Sequence, residues 1–233
     1  MDNIRLDNYS FNNNYTMYRV DSIESTNDFF KENYPLFKDK DCLVARRQTK
    51  GRGRYDRVWS SDDDIIMSIL FKEHHNNTII APMAVCLALK EVGINAGIKW
   101  PNDVYVDSKK ICGILIEDEY KSNFEASIVG IGLNMTSKKE YDAPGVLDYV
   151  SVGKDCLIDI ILKKYDILLK QEPKSLMKRY QELSIIINKY FKYKGEMYLA
   201  VSITSDGYLV GENSSGQIII KSDEIDIKRA LTM

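Results

Sequence analysis

The stretch Arg46 to Ser61, RRQTKGRGRYDRVWSS, limits what this chain can fold into more than any other. Two glycines alternate with two arginines at Gly51, Arg52, Gly53 and Arg54, and no aliphatic residue lies between Thr49 and Arg57. Such a run has neither a helical nor an alternating apolar face, so it must be a surface loop. Residues 46–57 hold six bases (Arg46, Arg47, Lys50, Arg52, Arg54, Arg57) against the single acid Asp56. That local +5 sits in a chain of formal charge −2, which leaves −7 for the remainder. Glycine allows close backbone approach and arginine binds carboxylate or phosphate in a bidentate way, so the loop reads as an anion site. On charge alone, a solvated basic loop is the plainer reading, and a GRGR run also suits nucleic-acid binding. Self-repulsion and lack of burial predict a loop that is disordered until an anion arrives.

The flanking pattern is that of a mixed α+β protein. Cys42 to Thr49 reads as the strand that delivers the loop, and Ile65 to Lys72 as a buried strand beyond it. Tyr18 to Ile23 reads as a strand, followed by a helix that carries Phe29 and Phe30, is capped by Ser25 or Thr26 and closes at Pro35. A second landmark is Gly97 to Glu117, GIKWPNDVYVDSKKICGILIE. Val104 and Val106, then Ile111, Ile114 and Ile116, mark two strands joined at Asp107-Ser108. A helix is expected over Ala81 to Val92 with Pro82 in its first turn, and a strand over 124–135 that ends at Asn134. The Gly130-Ile131-Gly132 run lacks the GxGxxG pattern and following helix of a dinucleotide site. Helices are expected over Ile158 to Leu169 and Leu176 to Leu183, separated at Pro173. From Lys194 onward, period-two runs alternate with turns at 205–207 and 214–216, the texture of a small β-barrel.

At 233 residues, with 44% hydrophobic and 28% charged residues, the chain suits one medium domain plus a small appendix. Its near-neutral balance carries no global nucleic-acid or membrane signal. The four cysteines (Cys42, Cys86, Cys112, Cys156) have no metal-ligand spacing and read as reduced thiols. His74 and His75 lack a third ligand nearby, so they read as a polar turn and no protein-held metal is expected. The Asn-rich start has no apolar core of a signal peptide, and the run Ile65 to Phe71 is too short to span a bilayer. A cytoplasmic protein is the expectation.

Several pieces together resemble the biotin protein ligase family. In family order they are Glu24-Ser25-Thr26-Asn27, Gln48, the GRGR run at 51–54, Trp59, KWPND at 99–103, Lys110, GILIE at 113–117 and GIGLNM at 130–135. The resemblance covers residues 18–135 and is looser beyond, where Asp223-Glu224 and Lys228 stand for the family's last-strand residues. It departs at Asp56, where a third glycine is usual, and so puts a negative charge in an anion-binding loop.

The resemblance implies a fold, a reaction and a set of roles. The fold is a mixed-sheet catalytic domain at 1–187, distantly like class II aminoacyl-tRNA synthetases, with a Src-homology-3-like barrel at 188–233. The monofunctional type, without a DNA-binding domain, is implied, as is a possible homodimer through a sheet edge. The reaction activates biotin with ATP and Mg²⁺ to biotinyl-5′-AMP. Biotin then passes to a lysine of a biotin carboxyl carrier protein or carboxylase biotin domain, with neither DNA nor membrane as partner. Lys110, Arg52 and Arg54 are implied as catalytic cations. Ser25, Thr26, Asn27, Gln48, Gly53 and Gly113 join them around biotin, while Trp59, Asp103 and Asn134 join the arginines around ATP. Trp100 before Pro101 reads as core or as a neighbour of the adenine. A lipoate or octanoyl ligase on the same scaffold is the rival enzyme, although that family carries a His-containing motif in place of GRGR. A nucleic-acid-binding module is the other rival.

Overall fold

Residues that alternate or run apolar become strands here, and each strand's two faces meet different helices. A computed structural model describes residues 9–11, 14–59, 62–221 and 225–227. In chain order the elements are β1 (Tyr9–Phe11), β2 (Tyr15–Ile23), α1 (Thr26–Asn33), β3 (Asp41–Gln48), β4 (Asp62–Phe71), α2 (Asn77–Glu91), β5 (Gly97–Lys99), β6 (Asp103–Val106), β7 (Lys109–Tyr120) and β8 (Phe124–Leu133). They continue with α3 (Lys154–Leu169), α4 (Pro173–Leu183), β9 (Tyr190–Tyr193), β10 (Glu196–Ile203), β11 (Leu209–Asn213), β12 (Gly216–Ile220) and β13 (Asp226–Ile227).

The first eight strands form one mixed sheet in the order β1-β2-β3-β4-β8-β7-β6-β5. Only β2 and β3 run parallel, and α1 makes the crossover that a parallel pair requires. Leu43 and Leu70 point to the α1 face, where Phe30 covers them with Val20 and Ile128. Their neighbours Cys42, Val44 and Ile69 point to the other face, into the large core with α2 and α3. The helix α2 is apolar nearly all round because α3, α4 and the sheet enclose it. At the β6–β7 hairpin, Asp107 (φ 50°) and Ser108 (φ 65°) are both left-handed, as a tight two-residue turn demands.

A second, antiparallel sheet has the order β12-β11-β10-β9-β13. It shares the large core through Phe191, Tyr198 and Leu209. Two hydrogen bonds tie its β10–β11 connection to the rest: Trp100 Nε1 donates to Gly207 O at 2.8 Å, and Asn76 Nδ2 to Ser205 O at 2.9 Å.

Some boundaries differ from the sequence reading. Helix α2 begins at Asn77, so Pro82 lies inside it and not in its first turn. The earlier start is held from outside the helix: buried Asn77 donates to Ser127 Oγ at 2.9 Å and accepts from Tyr165 OH at 2.7 Å. Pro173 opens α4 as its first residue, where its missing N–H costs nothing. The second sheet starts at Tyr190, ahead of Lys194. Asp223-Glu224 and Lys228 lie outside the described residues.

Candidate functional site

Three adjacent polar residues open α1, and they do two jobs. Ser25 is the N-cap, its Oγ accepting from Asp28 N at 3.2 Å. Thr26 donates to Gln48 Oε1 through its backbone N (2.7 Å) and its Oγ1 (2.9 Å), which ties α1 to the end of β3. Asn27 Nδ2 donates to Glu117 Oε2 at 3.0 Å and Leu115 O at 3.3 Å, while its Oδ1 lies 2.6 Å from Ser68 Oγ. All three are buried, and they form the polar end of a cavity of ≈ 310 Å³.

Glycines make the floor. A Cβ on Gly130 would stand 2.4 Å from Asn27 Oδ1, and one on Gly132 would stand 2.5 Å from the Trp59 ring. A Cβ on Gly113 would stand 2.9 Å from the same ring. Side chains at these positions would fill the channel, so absence of a Cβ is what opens it. Trp59 lies across β7 and β8, and the Lys110 ammonium stands 5.6 Å from its ring centroid. Lys110 Nζ also pairs with Asp103 Oδ1 at 2.7 Å.

The basic loop takes the form of a small hairpin. Gly53 N donates to Arg57 O at 2.7 Å and Trp59 N to Gly51 O at 2.9 Å, with a bridge between Arg52 and Val58. The left-handed residue in its turn is Tyr55 (φ 56°). Its repulsion is offset by partners from elsewhere. Arg52 forks onto Asp28 and reaches Glu117, and Arg54 Nη1 donates to Asn102 Oδ1 at 3.1 Å. The Asp28 hydrogen bond is the main cause that raises the Arg52 pKa, and the same bond lowers that of Asp28. Burial pushes the Glu117 carboxyl up, but hydrogen bonds from Asn27 and Arg52 outweigh it and leave it below its ordinary value.

All twelve residues singled out in the sequence line this one cavity, Asn134 and Asp103 included. Trp100 does not; it is core, 2% exposed. Sequence reasoning missed Asn102, Lys138 and Tyr141 in the lining, missed Ser68, whose hydroxyl supports Thr26 and Asn27 from behind, and gave no role to Asp28 or Glu117. Ser68 had a signal: a lone hydroxyl in the apolar run IIMSILF must find a partner. Among the described residues, Asp103 is the only carboxylate lining the cavity, and no group of three or more metal-ligating side chains occurs.

Residues 19–134 match the model of the biotin/lipoate A/B protein ligase family. The bifunctional ligase/repressor BirA of Bacillus subtilis is 37% identical over 106 residues, which is 41% of this chain and 33% of that protein. Biotin–protein ligase 2 of Arabidopsis thaliana is 26% identical over 215 residues, 86% of this chain and 62% of that one. The chain thus spans less than two thirds of the length of these relatives. Among solved structures, the biotin protein ligase from Aquifex aeolicus in complex with biotin and ATP shares the fold, with a TM-score of 0.72 at 24% identity over 92% of this chain and 99% of that chain. The matched segment runs from within β2 to the residue after β8, the part of the chain that builds most of the cavity, and on that footing this chain belongs to the biotin/lipoate A/B protein ligase family.

Proposed function

We propose that the chain is an ATP-dependent biotin protein ligase, which forms biotinyl-5′-AMP and passes biotin to a lysine of a biotin carboxyl carrier protein or carboxylase biotin domain. The observation that carries the reading is the polarity gradient of the cavity. Short donors and acceptors from Ser25, Thr26, Asn27 and Gln48 sit at one end, glycine-floored apolar walls in the middle, and cations at the other. That order suits a ureido ring, an apolar arm and a carboxylate.

The chemical difficulty is that one anion must attack another. Two unit charges ~4 Å apart repel by ~4 kcal/mol at an effective dielectric near 20. Lys110 and Arg54 are proposed to face both anions, with Arg52 beside them, and to stabilise the charge that builds at the phosphorus. Asp103 holds Lys110 in place, 2.7 Å away. Asn134, Asp103 and Trp59 are proposed for the nucleotide. With a single lining carboxylate among the described residues the cavity does not fit a resident metal, so Mg²⁺ is proposed to enter with ATP.

In this reading residues 1–187 are the catalytic unit, distantly like class II aminoacyl-tRNA synthetases, and 188–233 a Src-homology-3-like barrel built on β9 to β13. The protein is proposed to be cytoplasmic, to pair through a sheet edge, and to have neither DNA nor membrane as partner. A lipoate or octanoyl ligase is the alternative within the family. Incubation with biotin, α-labelled ATP and a biotin-acceptor domain is expected to give labelled biotinyl-AMP and then a biotinylated acceptor. Calorimetric binding of lipoate in place of biotin would move the assignment to the alternative.

A further inference from the structure

Asp28 and Glu117 have no part in the reading above, yet they engage Arg52 more closely than any other group. Arg52 Nε donates to Asp28 Oδ2 at 3.0 Å, and Nη2 reaches Asp28 Oδ1 and both oxygens of Glu117, the latter at 3.2 and 3.3 Å. The three residues come from the hairpin, the first turn of α1 and strand β7. The base of the hairpin is tied by Lys50 to Glu24 and its turn by Arg54 to Asn102, and between them Arg52 is the charged tie to α1 and β7. Val58 is 84% exposed and Tyr55 58%, and the bonds Gly53 N to Arg57 O and Trp59 N to Gly51 O close the hairpin on itself. Glu117 also has a second engagement. Its Oε2 accepts from Asn27 Nδ2 at 3.0 Å, which turns Asn27 Oδ1 toward Ser68 Oγ. Lys31, 3.4 Å from Glu117, balances the extra carboxylate.

We infer that Asp28 and Glu117 are positioning residues, latching the 51–59 hairpin over the cavity through Arg52 while Glu117 also sets the amide of Asn27. One carboxylate thereby couples the lid of the cavity to its polar end. Two ionised acceptors on one guanidinium form a stronger tie than neutral bonds of the same length. The latch itself does not depend on the ligase reading, and only its consequence for the reaction does.

Trypsin digestion of the full chain without ligand tests it, with cuts at Lys50, Arg54 and Arg57 followed by mass spectrometry. Asp28→Asn and Glu117→Gln are each expected to speed these cuts several-fold. The double variant Asp28→Asn/Arg52→Gln is expected to be cut no faster than Arg52→Gln alone, because both substitutions remove one shared interaction. Unchanged cleavage in Asp28→Asn, or effects that multiply in the double variant, overturns the inference. Should Glu117→Gln fail to fold, Asp28→Asn decides alone, since its side chain is 37% exposed. A chain that binds no biotin would end the ligase reading and leave this result standing. With biotin and ATP present, Asp28→Asn is expected to raise KM for biotin several-fold with a smaller change in kcat. A fall in kcat with KM unmoved would overturn the positioning role.

Discussion

Lys109 and Lys110 are neighbours in sequence with opposite surroundings, because successive strand residues face opposite sides of a sheet. Lys109 is paired with Asp142 at 2.7 Å on the exposed side, while Lys110 lies between Asp103 and the Trp59 ring. Lys110→Ala is therefore expected to slow biotinyl-AMP formation by about 10²–10³-fold, the usual cost of losing one preorganised charge-stabilising group. Lys109→Ala should leave the rate alone. Adenylation at near wild-type rate in Lys110→Ala would reduce this lysine to a structural part. The basic loop was legible as an anion site from its residue types, two arginines among glycines, while the other cavity residues were legible through the family resemblance that motifs such as Trp-Pro-Asn-Asp carry. Asp28 was hidden by its ordinariness, since an acid in a first helical turn is common and explains itself.

At the scale of elements, the hairpin is where the sequence is hardest to read. Counted alone it is a run of like charges, and the partners that neutralise it lie 24 and 65 residues away in sequence, at Asp28 and Glu117. No local rule sees across such a separation. The same holds for the first turn of α2, where Asn77 is recruited by Ser127 and Tyr165. The latch has a pH sign. Asp28 lies below its ordinary 3.8 chiefly through the Arg52 hydrogen bond. Glu117 is raised by burial but brought below its ordinary 4.5 by Asn27 and Arg52. Both folded values being depressed, their contribution to the closed hairpin is whole above the ordinary carboxylate values and is lost as pH falls through the folded ones. Trp59 stands at the end of that hairpin, and the other tryptophan, Trp100, is core. On acidification below about pH 4, tryptophan emission should shift to the red before far-UV circular dichroism is lost. Asp28→Asn should show the shifted emission already at neutral pH. Emission that changes only together with the circular dichroism would mean that the hairpin and the fold open as one.

For the molecule as a whole, a single core joins both sheets, and its thiols report on it. Burial pushes Cys42 up to about 12 and raises Cys86 and Cys112 as well, whereas Cys156 is exposed on α3. Iodoacetamide at neutral pH should therefore add one label to the folded chain and four after denaturation, read as mass increments. Two or more rapid adducts on the folded chain would contradict the core described. The β-hairpin texture after Lys194 made the second sheet legible, but its docking was not, because that depends on an indole N–H meeting one carbonyl. Trp100 gives its only donor to Gly207 O, and two residues further on Asn102 receives Arg54 of the hairpin. Surface turns between strands usually tolerate changes of length, which makes them the usual place for tags and insertions. Here the connection at 204–208 seats the tryptophan that leads into the lid's landing point. Lengthening it would therefore act at a distance, because the tryptophan it seats stands two residues before Asn102 at the edge of the cavity.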